Sequence, residues 1–169
     1  MKTKLLLTII FFGFLHAGFT QPTLSWDRWS WLIGEWVGSG SGIPGQGGGS
    51  FSFNFDLGKN ILVRKSHSEY PATKEKPEII HNDLMVVYPD GTGTPGKAIY
   101  FDNEGHVIHY TISYPDKSIR LTSDKSTNAP VFRLTYSSLD DSTINTKFEM
   151  SQDGEKFMTY IEGKSKKLK

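Results

Sequence analysis

The chain has 169 residues, no cysteine, and a near balance of 19 basic and 18 acidic residues. Such an even composition gives no electrostatic case for nucleic-acid binding, which usually needs a concentrated basic face. Without cysteines the fold must be stabilised by a hydrophobic core, and the length suffices for one domain.

Residues 1–20 have the pattern of a secretory signal peptide. Lys2 and Lys4 precede an apolar run over residues 5–15, which is shorter than the roughly 20 residues of a spanning helix. Cleavage before Gln21 leaves 149 residues with 17 basic and 18 acidic side chains. We expect one exported domain over residues 21–169, periplasmic or extracellular, with no transmembrane segment after cleavage.

Residues 26–37 contain all four tryptophans and the triplet Gly34-Glu35-Trp36. The pattern predicts one helical turn over residues 25–33 with Ser25 as its N-cap, followed directly by a strand. Three apolar side chains of this turn, Trp29, Leu32 and Ile33, are expected to face inward together. We therefore predict a structural plug at one end of the fold.

From Trp36 onward helical periodicity is nearly absent, and alternating segments recur between turn signals. A glycine-rich stretch over residues 39–50 is expected to form a flexible first hairpin. Ten strands are predicted, over residues 35–42, 50–57, 61–70, 79–88, 97–102, 106–114, 118–124, 131–138, 142–151 and 156–163.

Short connections between these strands favour an all-β, antiparallel up-and-down barrel of about ten strands. An open sheet of this size would leave one apolar face wet and two edges unpaired, whereas closure removes both problems. Phe51, Phe53 and Phe55 form one predicted core stripe, and Phe132 and Tyr136 belong to another. The basic segment at residues 164–169 is expected to be a solvated, frayed end. We expect a monomer or a dimer.

The strands at residues 61–70 and 79–88 carry the first candidate site. If the loop between them is centred near Glu75, His67 pairs with Asp83 and Glu69 pairs with His81. Opposed residues of an antiparallel pair lie within contact distance. Such His–carboxylate pairs suit proton transfer or metal binding, although two favourable surface pairs would explain them equally.

The other face of this hairpin contains Arg64. In the predicted register it lies with Leu62, Leu84, Val86 and Tyr88, and a one-residue slip would change which side chains share a face. A lone arginine in an apolar barrel needs an anionic partner. That partner is either the carboxylate of a ligand or an internal acid such as Glu149.

A second candidate cluster lies within residues 100–110. Residues 102–105 predict a hairpin turn with Gly105 at positive φ. Tyr100, His106 and Tyr110 are candidate ligand contacts on an otherwise apolar wall. Because His106 and His109 fall on opposite faces of a strand, they do not make a convincing metal site. No cofactor follows from the sequence, and it contains neither a G-x-S-x-G elbow nor an H-E-x-x-H motif.

The short helix followed by Gly34-Glu35-Trp36 and a series of strands resembles the calycin group, which includes lipocalins and nitrobindin-like barrels. The chain is also similar to exported bacterial domains of this general type. The resemblance implies a cavity, open at one end, for a small hydrophobic or amphipathic molecule. Two alternatives stay open: a haem or metal barrel using His67, His81, His106 or His109, and an enzyme using a His–carboxylate pair.

Overall fold

A computed structural model describes residues 23–38, 49–72, 74, 77–127 and 129–168. Ten strands form a closed antiparallel barrel in which each strand pairs with its neighbours in sequence and β1 pairs with β10. The predicted fold class is therefore confirmed. The strands are β1 Gly34–Gly38, β2 Ser50–Asp56, β3 Ile61–Tyr70, β4 Ile79–Pro89, β5 Pro95–Asp102, β6 Val107–Ser113, β7 Ser118–Ser123, β8 Val131–Ser138, β9 Thr143–Ser151 and β10 Met158–Lys167.

The predicted signal peptide and most of the glycine-rich stretch, residues 39–48, lie outside the described residues. In the described part of the chain, no helix has the length and apolarity needed to cross a membrane. Over the residues that the structure describes, two 3-10 helices occur, Asp27–Leu32 and Leu57–Lys59.

The first 3-10 helix plugs one end of the barrel. Trp29 and Leu32 are fully buried and Ile33 packs against the same core, as predicted. Trp26 rather than Ser25 occupies the N-cap position, although the Ser25 hydroxyl accepts a hydrogen bond from the Asp27 N–H at 3.3 Å. Hydrogen bonds from indole N–H groups hold this helix in place, because buried indole N–H groups need acceptors.

These acceptors come from both the plug and the barrel. Trp29 Nε1 donates to Tyr114 Oη at 2.9 Å, and Trp36 Nε1 donates to the Leu32 carbonyl at 2.8 Å. Trp26 Nε1 donates to the Lys59 carbonyl, also at 2.8 Å. The structural prediction for these three tryptophans is therefore supported by their contacts.

Gly34 explains the Gly-x-Trp triplet. Its φ of +116° is a conformation that favours glycine, and a Cβ there would meet Lys167 Cε at 3.1 Å. The turn allows β1 to leave the plug and pair with the last strand, where Trp36 lies opposite Lys167.

The C-terminal prediction was wrong. Residues 164–167 are not frayed but form the end of β10, which pairs with β1 and closes the barrel. The strand alternates, since Lys164 and Lys166 are exposed while Ser165 is buried between them. The alternation was not recognised in the sequence because most residues of this segment are lysines.

Packed side chains fill the barrel from the plug to its middle. Both predicted aromatic stripes point inward. The buried cluster comprises Trp29, Leu32, Trp36, Phe53, Leu62, Met85, Val87, Ala98, Tyr110, Ile112, Ile119, Leu121, Leu134, Tyr136 and Ile144.

Candidate functional site

The hairpin of β3 and β4 has a register one residue away from the predicted one. Tyr70 pairs with Ile79, Ser66 with Asp83, and Ser68 with His81. The predicted pairs His67–Asp83 and Glu69–His81 therefore do not form. Strand β4 is apolar on both faces around residues 84–87, so its sequence pattern favours neither register. In the observed register, eight residues, 71–78, connect β3 to β4.

This register places His81, Asp83, Met85 and Val87 on the inner face with Arg64, instead of the predicted Leu84, Val86 and Tyr88. His67 and Glu69 lie on the outer face, with side chains 47% and 62% exposed. His67 contacts Asn82 Oδ1 at 2.7 Å and Glu69 Oε1 at 2.8 Å. The hydrogen bonds to Asn82 and Glu69 raise the pKa of His67 above its ordinary value.

Arg64 lies near the middle of the barrel and forms an ion pair with Asp83, and both side chains are at least nine-tenths buried. The predicted internal acid was therefore misassigned. Glu149 lies on the outer face of β9, where it accepts hydrogen bonds from Arg133 Nε at 2.8 Å and Nη2 at 3.0 Å. The alternation along β9 separates Glu149 from the interior, because its neighbour Phe148 points inward.

Three tyrosines surround the buried guanidinium, and Phe51 stacks on it with 5.2 Å from Arg64 Cζ to the ring centre. Burial raises the pKa of Tyr136 to about 12, and it also raises the pKa values of Tyr100 and Tyr110. The hydroxyls therefore keep their protons around neutral pH. Burial opposes the charge of Arg64, but nearby Tyr136 and Asp83 hold its pKa above the ordinary value.

A hydrogen-bonded series runs from this layer to the open end. His81 Nε2 contacts Tyr100 Oη at 3.1 Å and lies 3.7 Å from Asp83 Oδ2. The Tyr100 hydroxyl donates to Asp102 Oδ2 at 3.2 Å. The same Asp102 oxygen contacts His106 Nδ1 at 2.8 Å. Six of the predicted site residues, Arg64, His81, Asp83, Tyr100, His106 and Tyr110, thus lie in or beside one region, and His67 and Glu69 do not.

The turn at residues 102–106 has the predicted form, with Gly105 at a φ of +90°. Asp102 Oδ1 accepts hydrogen bonds from the backbone N–H groups of Glu104 and His106 at 3.0 and 2.9 Å. Glu104 Oε1 in turn contacts His81 Nδ1 at 3.0 Å. The sequence analysis missed Asp102 and Glu104 as site residues, because they were assigned only to the turn; their spacing from His106 was the available signal.

Strands β8, β9 and β10 line the opposite side of the same end. The Phe132 and Phe148 rings stack with centres 5.6 Å apart, and Tyr160 meets Phe148 edge to face at 6.2 Å. Tyr160 and Met158 are 63% and 65% exposed. Since β9 lies half-way around the barrel from β4, the mouth has one polar wall and one aromatic wall.

The histidine positions bear on the haem and metal alternative. His109 is exposed on the outer face of β6, and the His106 side chain is 60% exposed. Both ring nitrogens of His81 already have partners. No set of three or more metal-binding side chains is found within the described ranges.

Two shallow depressions occur elsewhere, of about 350 and 320 Å³, over β1, β2 and β3. The smaller one includes His67 and Glu69 in its lining. We assign them no role.

Comparison with known proteins gives no assignment for the chain. No family model matches the sequence, and no curated protein matches it. The architecture alone, a closed ten-stranded antiparallel barrel, is compatible with a calycin-like fold.

Proposed function

We propose that the protein is an exported, non-enzymatic binding barrel of the calycin type, which holds a small hydrophobic or amphipathic molecule at its open end. The divided mouth is the observation that carries this proposal. An apolar body would pack on Phe132, Phe148 and Tyr160, while polar groups of the ligand would meet the wall of His81 and Tyr100. Ligand sites commonly combine an apolar surface with a few placed polar groups.

The filled interior limits where the ligand sits. Tyr136 and Phe53 are fully buried below the mouth and Arg64 is nearly so, leaving the upper layer as the binding region. This differs from a deep lipocalin cavity. Export to the periplasm or the extracellular space is proposed from the signal-peptide pattern of residues 1–20.

The proposal is tested on the mature chain, residues 21–169, by fluorescence titration with N-phenyl-1-naphthylamine, a neutral apolar probe. Phe148→Ser should weaken binding about tenfold or more, because burial of an aromatic side chain contributes about 1.5–3 kcal/mol. Tyr160→Ser, at an exposed position, tests the same wall with less risk to folding.

Phe101→Ser is the matched control, since Phe101 is a partly exposed phenylalanine on the outer face of β5. Its probe affinity should stay within about twofold of the parent, well below the tenfold step expected of a lost contact. Equal losses in Phe101→Ser and Phe148→Ser would contradict a site at the mouth. Native mass spectrometry of protein from its own host supplies the ligand class, as a stoichiometric added mass.

An acid–base enzyme is the second candidate, and one contact favours it. Glu104 at Nδ1 orients the His81 ring at the mouth, as carboxylates orient catalytic imidazoles. Once a turnover reaction is found, His81→Ala should abolish it while leaving the folding midpoint unchanged. Full retention of the reaction would remove this candidate.

A further inference from the structure

Over the described residues, three buried polar atoms on the inner face of the barrel have no hydrogen-bond partner within the protein. They are Arg64 Nε on β3, Tyr136 Oη on β8 and Thr146 Oγ1 on β9. One other buried side-chain atom of these residues, Arg120 Nε, shares this condition, and it lies on the outer face of β7. Because an unpaired buried polar group is costly, nearly all such groups bind another protein group, a water molecule or a ligand. The inner face therefore offers hydrogen bonds to a further molecule.

The Arg64 guanidinium is paired in charge but is not fully hydrogen-bonded. Its Nη1 donates to Asp83, and the Phe51 ring covers one face of the group. A guanidinium carries several N–H groups in a fixed fork, so this ion pair leaves the Nε–H group free to donate. Tyr136 lies beside Arg64, but the two side chains approach each other without hydrogen-bond geometry. The layer thus has an unused donor, while the charges of Arg64 and Asp83 balance each other.

An uncharged acceptor suits this layer better than an anion does. A carbonyl or hydroxyl oxygen accepts a hydrogen bond from Arg64 Nε without changing the charge of the layer. The Tyr136 hydroxyl keeps its proton near neutral pH, because burial raises its pKa to about 12, and it is a second donor in the same layer. A carboxylate would add another negative charge beside Asp83 where little solvent screens it, which is unfavourable.

Small side chains separate this layer from the open end along β3. The next inward-facing residues of β3 are Ser66 and Ser68, and both are only half-buried. The side chains of Arg64 and Asp83 themselves keep 10% and 6% of their surface exposed. The end of a ligand that enters along β3 therefore meets serines, and no aromatic ring of that strand, before it reaches the guanidinium.

We propose that Arg64, Asp83 and Tyr136 form the floor of the binding site and select a ligand whose polar end is an uncharged hydroxyl or carbonyl group. This inference rests on the proposed function. The apolar body of the ligand packs on Phe132 and Phe148, and its polar oxygen accepts from Arg64 Nε. Asp83 determines specificity, because its carboxylate repels an acid. The ligand class is a long-chain alcohol, aldehyde or amide, as opposed to a free fatty acid.

Competition between two ligands of equal length, 1-decanol and decanoate, tests the role of charge. Their affinities for the mature chain are measured near neutral pH by displacement of N-phenyl-1-naphthylamine. The parent should prefer 1-decanol, but the alcohol is also the more apolar molecule, so the decisive quantity is the change of this preference in Asp83→Asn. That variant keeps a side-chain oxygen for Arg64 and removes the negative charge. The preference should move toward decanoate by about tenfold or more.

Glu104→Gln is the matched control for Asp83→Asn. It also removes one carboxylate, but from a side chain at the rim that is 53% exposed, where solvent and salt screen the charge. Its preference should stay within about twofold of the parent's. If the two variants shift the preference equally, or if Asp83→Asn does not shift it, the polar end of the ligand does not lie at Arg64 and the inference is wrong.

Tyr136→Phe tests the floor without altering the ion pair, so the test does not depend on the folding of Asp83→Asn. The affinity for 1-decanol should fall by about threefold to tenfold, the contribution of one hydrogen bond. Urea unfolding of the ligand-free variant should match the parent or need more urea, because the lost hydroxyl has no partner within the protein. Tyr88→Phe, on the outer face of β4, should change neither quantity. Lower stability with unchanged affinity would mean that Tyr136 is only structural and would overturn the inference.

The inference and the proposed function fail in different ways. If the probe binds and Phe148→Ser weakens it, but neither Asp83→Asn nor Tyr136→Phe changes the binding of the two ligands, the site at the mouth stands without this floor. If the probe does not bind and neither 1-decanol nor decanoate raises the melting temperature of the parent, the proposed function fails and the inference fails with it.

Discussion

The two ends of the barrel are built from the same ten strands but carry different interiors. At the plugged end, Trp29, Leu32 and Trp36 are buried. The indole N–H groups of the two tryptophans donate hydrogen bonds. At the open end, aromatic rings are partly exposed and the polar side chains contact one another. The comparison indicates that stability is concentrated at the plug, which leaves the mouth free to carry groups that contribute little to folding.

Removing a plug residue should therefore have the largest effect on stability. Trp29→Ala should lower the free energy of unfolding by about 3–5 kcal/mol, because it leaves a cavity and removes the partner of Tyr114. Urea unfolding measures the change. Met158→Ala, at the exposed rim of the mouth, should cost under about 1 kcal/mol. Similar costs at both positions would contradict the comparison.

The charged layer between the two regions should give the next largest effect. Asp83→Ala leaves the Arg64 guanidinium buried without its partner and should cost about 3 kcal/mol. Replacing both residues, as in Arg64→Met with Asp83→Leu, should recover most of that loss because no unpaired charge remains. Equilibrium unfolding of the single and double variants decides this. A double variant as unstable as the single one would show that the cost lies in packing.

Substituting the glycine at which β1 leaves the plug should have a smaller effect on stability. Gly34→Ala should cost about 1–2 kcal/mol, through its positive φ and crowding against Lys167. Gly91→Ala separates the two causes, since Gly91 has a φ of +94° but nothing within 4 Å of the added Cβ. Equal losses of unfolding free energy in the two variants would remove the crowding contribution.

The sequence predicted the strands well, and β3 and β8 were placed at their observed bounds. Alternation and turn residues are local signals, so they do not depend on how distant segments meet. The register of β3 on β4 was not predictable in the same way, because residues 84–87 are apolar on both faces. The partner of Arg64 depended on that register, and Asp83 was therefore missed in favour of Glu149.

The aromatic wall was missed for a different reason. Phe132 was identified as core and Phe148 was not singled out, because both satisfy the pattern of an inward-facing strand residue. Whether an inward-facing residue lies in the packed interior or at the solvent-exposed open end depends on how the barrel closes. Phe53 and Phe148 differ in their position along the barrel axis, and no local sequence pattern reports that position.

The smallest expected effect concerns acid stability at the mouth. The turn at 152–157 is organised by Asp153, whose pKa is lowered to about 2 by the N–H groups of Lys156 and Glu155 and by the Ser151 hydroxyl. A depressed carboxyl pKa stabilises the fold above the unfolded value near 4, and that stabilisation is lost as the pH falls toward 2. Asp153→Asn should therefore melt below the parent at pH 7, and the difference should narrow at pH 2. Asp141→Asn, at the plugged end, is the control and should track the parent at both pH values. A difference of equal size at pH 7 and pH 2 would mean that Asp153 acts through turn geometry, independently of its charge.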